Sequence, residues 1–289
     1  PQFFIIYLQN FSKQMTGIFD SGVGGLSVYR EIRKLLPGED YIYFSDNAHC
    51  PYGEKPVEYV VDRAFRITEM LVSKGADIIV VACNTATAAA ISSLRQAFSD
   101  PEDPAVRQRV LALSDGRRDH VKFIGMEPAV KPAVSLTRSG VVGVLATAGT
   151  LKAEKYRHTR DLAHDRITVV EHVGQGFVEL VERGELSGPD AEKVVRASVQ
   201  PLLDKGADTI VLGCTHYPFL ADTIRKVAGP DVTIIDPAPA VARHVVEVME
   251  EDGVLSAGQV AELSSDHTGH SVFLSSGPDD VLKRMLSML

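Results

Sequence analysis

The sequence predicts an α/β protein of two similar lobes, each a mostly parallel sheet flanked by helices. Two observations carry that expectation. Short apolar runs alternate with segments of helical periodicity, an order that lays parallel strands beneath helices on both faces. One stretch also occurs twice. Lys74-Gly75-Ala76-Asp77-Ile78-Ile79-Val80-Val81-Ala82-Cys83 returns as Lys205-Gly206-Ala207-Asp208-Thr209-Ile210-Val211-Leu212-Gly213-Cys214, identical at seven of ten positions. A fixed-period array would show further copies, and there are none. Two distant copies point to a duplicated half, each half presenting one thiol.

In chain order, Gly17–Asp20 reads as a strand that stops at Ser21-Gly22-Val23-Gly24-Gly25. Leu26, Val28, Ile32, Leu35 and Leu36 then follow helical spacing up to Pro37-Gly38. A strand at Tyr41–Ser45 leads into a loop through Gly53, and Val57 to Leu71 form an amphipathic helix. Strand 78–82 ends at Cys83, and Asn84 or Thr85 can cap the alanine-rich helix that reaches Phe98. Ser99–His120 changes character; it reads as a surface excursion, with a short helix around Arg107–Leu113, leading to the second lobe. Strands are expected at Val121–Gly125, Val141–Leu145, Ile167–Val170 and Thr209–Leu212, with helices between. Gly140–Thr150 takes the role of residues 17–25 in the first lobe. A helix at Leu220–Val227, a strand at Val232–Ile235, a helix from Pro239 to Glu251 and a strand at Ser271–Leu274 precede a terminal helix. The expected division is a first lobe of residues 15–118 plus 237–289 and a second of 119–236. Residues 1–14, ahead of Met15, read as an appendage.

With 289 residues, 45% hydrophobic and 24% charged, the chain has an ordinary globular composition and room for two modest domains. A net charge of −8 argues against a nucleic-acid or anionic-membrane surface. Three scattered cysteines, Cys50, Cys83 and Cys214, make no disulfide framework and suit a reducing compartment. The apolar residues Phe3 to Phe11 are too few for a signal sequence, and nothing approaches the roughly 18 apolar residues of a membrane span. A cytoplasmic protein without nucleic-acid or membrane partners is expected.

Ligands of open parallel sheets bind beyond the carboxyl ends of strands, where Cys83 and Cys214 both fall. Each precedes an expected helix start, whose N–H groups favour thiolate over thiol. A single buried cysteine is commonly core filling, but two at matching strand ends favour function. His216, two residues after Cys214, can take or hold a thiol proton. Cys-x-His together with His49-Cys50 is a poor zinc pattern, so no metal is expected. The loop at Asp20–Gly25 lacks the lysine of a phosphate loop and the third glycine of a dinucleotide fingerprint. Its glycines can bring backbone N–H groups close to a carboxylate. Asp20 stands near Cys83 as an ammonium partner or acid–base assistant, with helix capping as the plainer role. Tyr52-Gly53, Asn84-Thr85 and Thr215-His216 add hydroxyl, amide and backbone donors. No Schiff-base lysine context or Gly-x-Ser-x-Gly elbow occurs, so no organic cofactor is expected.

Six blocks along the chain resemble glutamate racemase. They are Phe19-Asp20-Ser21-Gly22-Val23-Gly24-Gly25-Leu26, Pro51-Tyr52-Gly53-Glu54-Lys55, Ala82-Cys83-Asn84-Thr85-Ala86, Gly125-Met126-Glu127-Pro128-Ala129, Leu145-Ala146-Thr147-Ala148-Gly149-Thr150 and Gly213-Cys214-Thr215-His216-Tyr217-Pro218. The resemblance implies a cofactor-independent enzyme interconverting L- and D-glutamate for bacterial cell-wall synthesis. It further implies two pseudo-twofold lobes with the active site in the cleft between them, and a homodimer. By motif, Cys83 and Cys214 would be the acid–base pair, assisted by Asp20 on the first side and by Glu182 with His216 on the second. Asp20, Ser21, Pro51, Tyr52, Gly53, Asn84, Thr85, Thr215 and His216 would bind substrate. Cys83 would serve the D-enantiomer and Cys214 the L-enantiomer. The chain departs from the family at Gly174-Gln175-Gly176-Phe177, where Cys-Pro is frequent, and in the longer Ser99–His120. An aspartate or hydantoin racemase of the same build is the alternative enzyme. A two-lobed amino-acid-binding protein is the non-enzymatic one, though it would need neither thiol.

Overall fold

A computed structural model describes residues 15–163, 167–251 and 269–289; the expectation for residues 1–14 lies outside them. The first sheet contains β1 (Met15–Asp20), β2 (Asp40–Ser45), β3 (Ile78–Val81), β4 (Lys122–Gly125) and β9 (Ser271–Ser275), in the order β4-β3-β1-β2-β9. The second contains β5 (Val141–Ala146), β6 (Thr168–Val173), β7 (Thr209–Gly213) and β8 (Thr233–Ile235), in the order β6-β5-β7-β8. Every pairing in both sheets is parallel. Parallel sheets carry helices on both faces, so their inner strands are apolar without alternation. β1, β3 and β7 are buried along their whole length.

The duplication is visible in the strand order. The first lobe runs β2-β1-β3-β4 and the second β6-β5-β7-β8, with β9 added at the outer edge of the first. β1 therefore corresponds to β5 and β3 to β7. The two copies of the repeated stretch sit on equivalent inner strands.

This correspondence corrects the expected lobe boundary at residue 119. β4 pairs with β3, from Ile78↔Lys122 to Val81↔Gly125, and so belongs to the first sheet as β8 belongs to the second. Ser99–His120 is accordingly not a link between lobes. After α3 (Asn84–Phe98) it forms α4 (Pro104–Leu113), capped by Asp103, whose side chain accepts the Ala105 N–H. Val106 and Val110 of α4 are buried in the first-lobe core beside Phe98. The segment is part of the crossover from β3 to β4. The chain passes to the second lobe only after Gly125, through α5 (Val130–Leu136).

Each copy of the repeat joins two devices. Its first half ends a helix: α2 (Val57–Ser73) stops at Gly75, φ +104°, and α9 (Pro189–Leu203) at Gly206, φ +84°. Both glycines sit in left-handed backbone, and the next residue's N–H returns to the helix, Ala76 to Leu71 O (3.0 Å) and Ala207 to Leu202 O (3.1 Å). The aspartate that follows holds the neighbouring chain. Asp77 binds Arg118 and the Met15 N–H. Asp208 accepts from Thr137 Oγ1, Arg138 N and Ser139 N, each at 2.7 Å. The remaining helices are α1 (Leu26–Leu35), α6 (Ala148–Lys152), α7 (Glu154–Asp161), α8 (Phe177–Arg183), α10 (Ala221–Ala228), α11 (Ala238–Glu251) and α12 (Asp280–Leu286). Among the described residues no helix is long and apolar enough to cross a membrane.

Burial of Asp208 opposes its ionisation, but the hydrogen bonds from Thr137, Ser139, Arg138 and Thr209 outweigh it and draw its pKa from 3.8 to about 2. The folded value lies below the unfolded one. The aspartate therefore stabilises the fold above pH ~4, and that contribution fades as pH falls toward 2. Asp208→Ala is expected to cost about 1–3 kcal/mol in urea unfolding at pH 7, with the gap from the parent closing as the pH approaches 2. A gap unchanged down to pH 2 would show that the charge is not what holds this loop.

Candidate active site

Cys83 follows β3 and takes extended backbone (φ −144°) as the N-cap of α3, its sulfur accepting the Ala86 N–H at 3.4 Å. Its thiol points toward Ser21 Oγ at 3.9 Å, and the residue is 5% exposed. Burial, reinforced by the negative charge of Asp20, pushes this thiol well above its ordinary value; the Ala86 N–H pulls the other way and loses. The helix start does favour the thiolate, as expected, but burial and Asp20 outweigh it. Cys214 follows β7 and is 6% exposed. It caps no helix. A 3-10 turn, Tyr217–Leu220, comes first and α10 begins only at Ala221. Its sulfur lies instead 3.8 Å from His216 Nδ1.

Asp20, at the end of β1, is fully buried. Its Oδ2 accepts from the Gly25 N–H (2.8 Å) and Thr215 Oγ1 (3.4 Å), so one carboxylate spans both lobes, while Oδ1 has no protein partner. Burial raises its pKa against the charge of His216 and the Gly25 hydrogen bond. The glycine loop fits closely around this group. A Cβ on Gly24 would lie 2.4 Å from His216 Nδ1 and 2.7 Å from Thr215 Oγ1. The sequence has glycine there because the second lobe's histidine occupies that space.

His216 is 2% exposed and gives its Nε2 to Glu182 Oε1 at 2.7 Å. The same oxygen accepts the Val23 N–H at 3.0 Å and the Cys50 thiol at 3.8 Å. Burial works against a charged imidazole, but contacts with Cys214, Cys50 and Glu182 prevail and raise its pKa well above 6.5. For Glu182, burial raises the pKa and His216 more than reverses it, leaving the carboxyl lowered. Glu182 comes from α8, which is flanked by Gly176 (φ +80°) and Gly184 (φ +74°) in left-handed backbone. The glycines of Gly174-Gln175-Gly176 thus turn the chain so that the last turn of α8 meets His216.

The other expected residues divide. Asn84 is buried, and neither Oδ1 nor Nδ2 has a protein partner. Thr85 Oγ1 meets Thr147 Oγ1 (3.0 Å) and Thr150 Oγ1 (3.4 Å), joining α3 to α6 across the lobe boundary. Tyr52 does not turn its hydroxyl to the thiols. It donates to Asp46, whose carboxylate Arg63 grips at 2.7 and 2.9 Å, so Tyr52 anchors its loop. Pro51 and Gly53 line a small concavity with Thr147, Gly174 and Tyr217. A larger cleft of about 1080 Å³ reaches Gly53, Thr85 and Gly149 but is not lined by either catalytic-candidate sulfur. Cys50, outside the expected site residues, borders this group through Glu182 by the path of its loop, and Thr147 and Thr150 join it from a motif that carried no assigned role.

Residues 120–245 match the family model described as Asp/Glu/Hydantoin racemase. A glutamate racemase of Methylococcus capsulatus is 48% identical over 273 residues, which is 94% of this chain and 90% of that protein. The fold is similar to the crystal structure of a glutamate racemase isoform from Bacillus anthracis, with TM-score 0.78, 30% identity and coverage of 95% of this chain and 93% of that one. It is also similar to the glutamate racemase of Francisella tularensis in complex with D-glutamate, with TM-score 0.73, 26% identity and coverage of 96% and 94%.

Because Glu182 is one of the groups that keep His216 charged, Glu182→Gln is expected to move the His216 titration to lower pH. NMR of the imidazole ring carbon in the parent and the variant reads this directly. An unchanged titration would mean that Cys214 and Cys50 hold the proton without Glu182.

Proposed function

The chain belongs to the glutamate racemase family, and we propose that it interconverts L- and D-glutamate using Cys83 and Cys214 as the two acid–base groups. The observation that carries this reading is the pair of buried thiols at the ends of β3 and β7, equivalent strands of a duplicated fold. Racemisation removes the α-proton from one face of the amino acid and delivers a proton to the other. A single base would tend to return the proton to the face it left. Two sulfurs, one from each lobe, would meet that demand.

One sulfur, as thiolate, takes the α-proton. The Cα–H electron pair stays on the substrate and spreads into its carboxylate, and the opposite thiol gives up its proton to the other face of Cα. The two sulfurs then stand with their protonation exchanged, ready for the reverse reaction. Asp20 handles protons on the Cys83 side, and His216 with Glu182 on the Cys214 side. Charge growing on the substrate carboxylate needs donors fixed in advance. Asn84, Thr85, Thr215 and the Ser21 backbone would supply them, with His216, Pro51, Tyr52 and Gly53 as the further substrate contacts. Acid–base assistance supplies about 10²–10⁴-fold, so positioning and electrostatics supply the remainder. Cys83 is held as a thiol by burial and Asp20. The substrate's ammonium group, arriving beside Asp20, provides the positive charge that favours its thiolate.

Glutamate is favoured over aspartate or a hydantoin because relatives at 42–48% identity are glutamate racemases. The product D-glutamate then serves peptidoglycan synthesis. A cytoplasmic location, which keeps three free thiols reduced, and a homodimer complete the proposal.

Each cysteine is base in one direction and acid in the other, so Cys83→Ala and Cys214→Ala are both expected to abolish net racemisation. Half-reactions should remain. Cys214→Ala is expected to exchange the α-proton of D-glutamate with solvent deuterium, with retention, and Cys83→Ala that of L-glutamate. Both exchanges should be slow, since removing one of a cooperating pair costs more than its own share. NMR of the α-position in each enantiomer reads the outcome. If both variants exchange the same enantiomer, the two-face arrangement is wrong.

A further inference from the structure

Cys50, Glu182 and His216 place one ligand atom each within 4.8 Å of one another, and among the described residues they are the one His/Cys/Asp/Glu trio that does so. We propose that this trio is a binding site for a soft divalent cation such as Zn²⁺, and that occupying it blocks catalysis. The donors are a thiol, a carboxylate and an imidazole, the set that zinc accepts in four-coordinate sites. They come from three separate parts of the chain: the loop after β2, the last turn of α8 and the segment after β7.

The geometry is close to that of a bound ion. Zn–S near 2.3 Å and Zn–N or Zn–O near 2.1 Å put tetrahedral S···O and N···O separations at about 3.6 and about 3.4 Å. Cys50 Sγ lies 3.8 Å from Glu182 Oε1, so that edge already fits. His216 Nε2 lies 2.7 Å from the same oxygen, the length of a hydrogen bond. Replacing the shared proton with a metal ion opens this edge by about 0.7 Å. The Cys50 thiol proton and the Nε2 proton leave to solvent, and water takes the fourth position. The surroundings allow it. A Cβ on Gly22 would fall 2.1 Å from Glu182 Oε1 and 3.1 Å from Cys50 Sγ, so glycine leaves this space open. Glu182 is 21% exposed on its side chain and Cys50 is partly exposed, which gives a cation a path from solvent to the buried imidazole. The Val23 N–H, on the same carboxylate oxygen at 3.0 Å, fixes its orientation.

Inhibition follows from which groups are taken. Bound through Nε2, His216 can no longer exchange its proton with Glu182, and its Nδ1 edge beside Cys214 is locked in place. The inhibitory half of the proposal rests on the racemase reading; the binding half does not.

Two measurements on the full chain separate them. In the racemisation assay, Zn²⁺ is expected to inhibit the parent reversibly, with activity restored by a chelator. Cys50→Ser is expected to keep turnover within a few-fold of the parent and to need at least about tenfold more Zn²⁺ for half-inhibition. With Co²⁺ as the probe, a sulfur-to-metal charge-transfer band is expected in the parent and in Cys83→Ala and Cys214→Ala, and is lost in Cys50→Ser. The band reports the site even if no racemisation is detected. Equal inhibition of the parent and Cys50→Ser, or a band that survives Cys50→Ser, would place the ion on the other thiols and overturn the proposal. So would the absence of any band, or a Cys50-dependent band without inhibition.

Discussion

A single oxygen, Glu182 Oε1, ties the two halves of the site together. It takes the Val23 N–H from the glycine loop of the first lobe and the His216 Nε2 from the second, with the Cys50 thiol at its side. A buried carboxylate and a buried imidazole would each resist charge alone. Together they stabilise the charged forms of both, as the lowered carboxyl and raised imidazole values show. That pair in turn decides what stands next to Cys214. Glycine at positions 22 and 24 follows from it, since a side chain at either would occupy the carboxylate's or the imidazole's space. Loop composition, lobe contact and proton chemistry here descend from one ion pair.

Much of this was legible in the sequence because the relevant signals are local. Cys83 and Cys214 close two decapeptides identical at seven of ten positions, and a strand end is where such a residue reaches a ligand. The left-handed glycines Gly75 and Gly206 recur because each ends a helix, a demand any copy of the motif must meet. Strand partners in a parallel sheet are another matter. β4 and β8 both follow long crossovers, and no local pattern states which sheet edge a crossover reaches. That is why residues 119–125 were expected in the second lobe. Helix α4 matches the short helix expected around Arg107–Leu113 but starts earlier, at Pro104 behind the Asp103 cap, in a stretch whose composition reads as a polar excursion.

Side-chain destinations were the least legible. Tyr52 lies in a motif that suggests a substrate contact, yet its hydroxyl goes to Asp46 and Arg63, residues that no spacing rule links to it. Cys50 has no counterpart in the second lobe, so the repeat gives it no role. Its place beside Glu182 depends on a loop and a helix separated by 132 positions in sequence. Asn84 shows the converse. Its motif offers either a helix cap or a ligand contact, and the burial of its unpartnered amide is a tertiary fact that the motif does not contain.

Duplication gives a racemase two equivalent strand ends but not two equivalent bases. Cys83 retained the helix-capping role and lies beside a buried carboxylate, Asp20, which raises the cost of its thiolate. Cys214 lost the cap, and the residues between it and α10 supply an imidazole instead. A substrate approached by two identical thiolates would face the same charge on both sides, and neither side would hold the proton that must be delivered. A buried carboxylate beside one sulfur and an imidazole beside the other give the two equivalent strand ends different surroundings. The two halves therefore share a strand order while the groups beside their sulfurs differ, Asp20 on one side and His216 on the other.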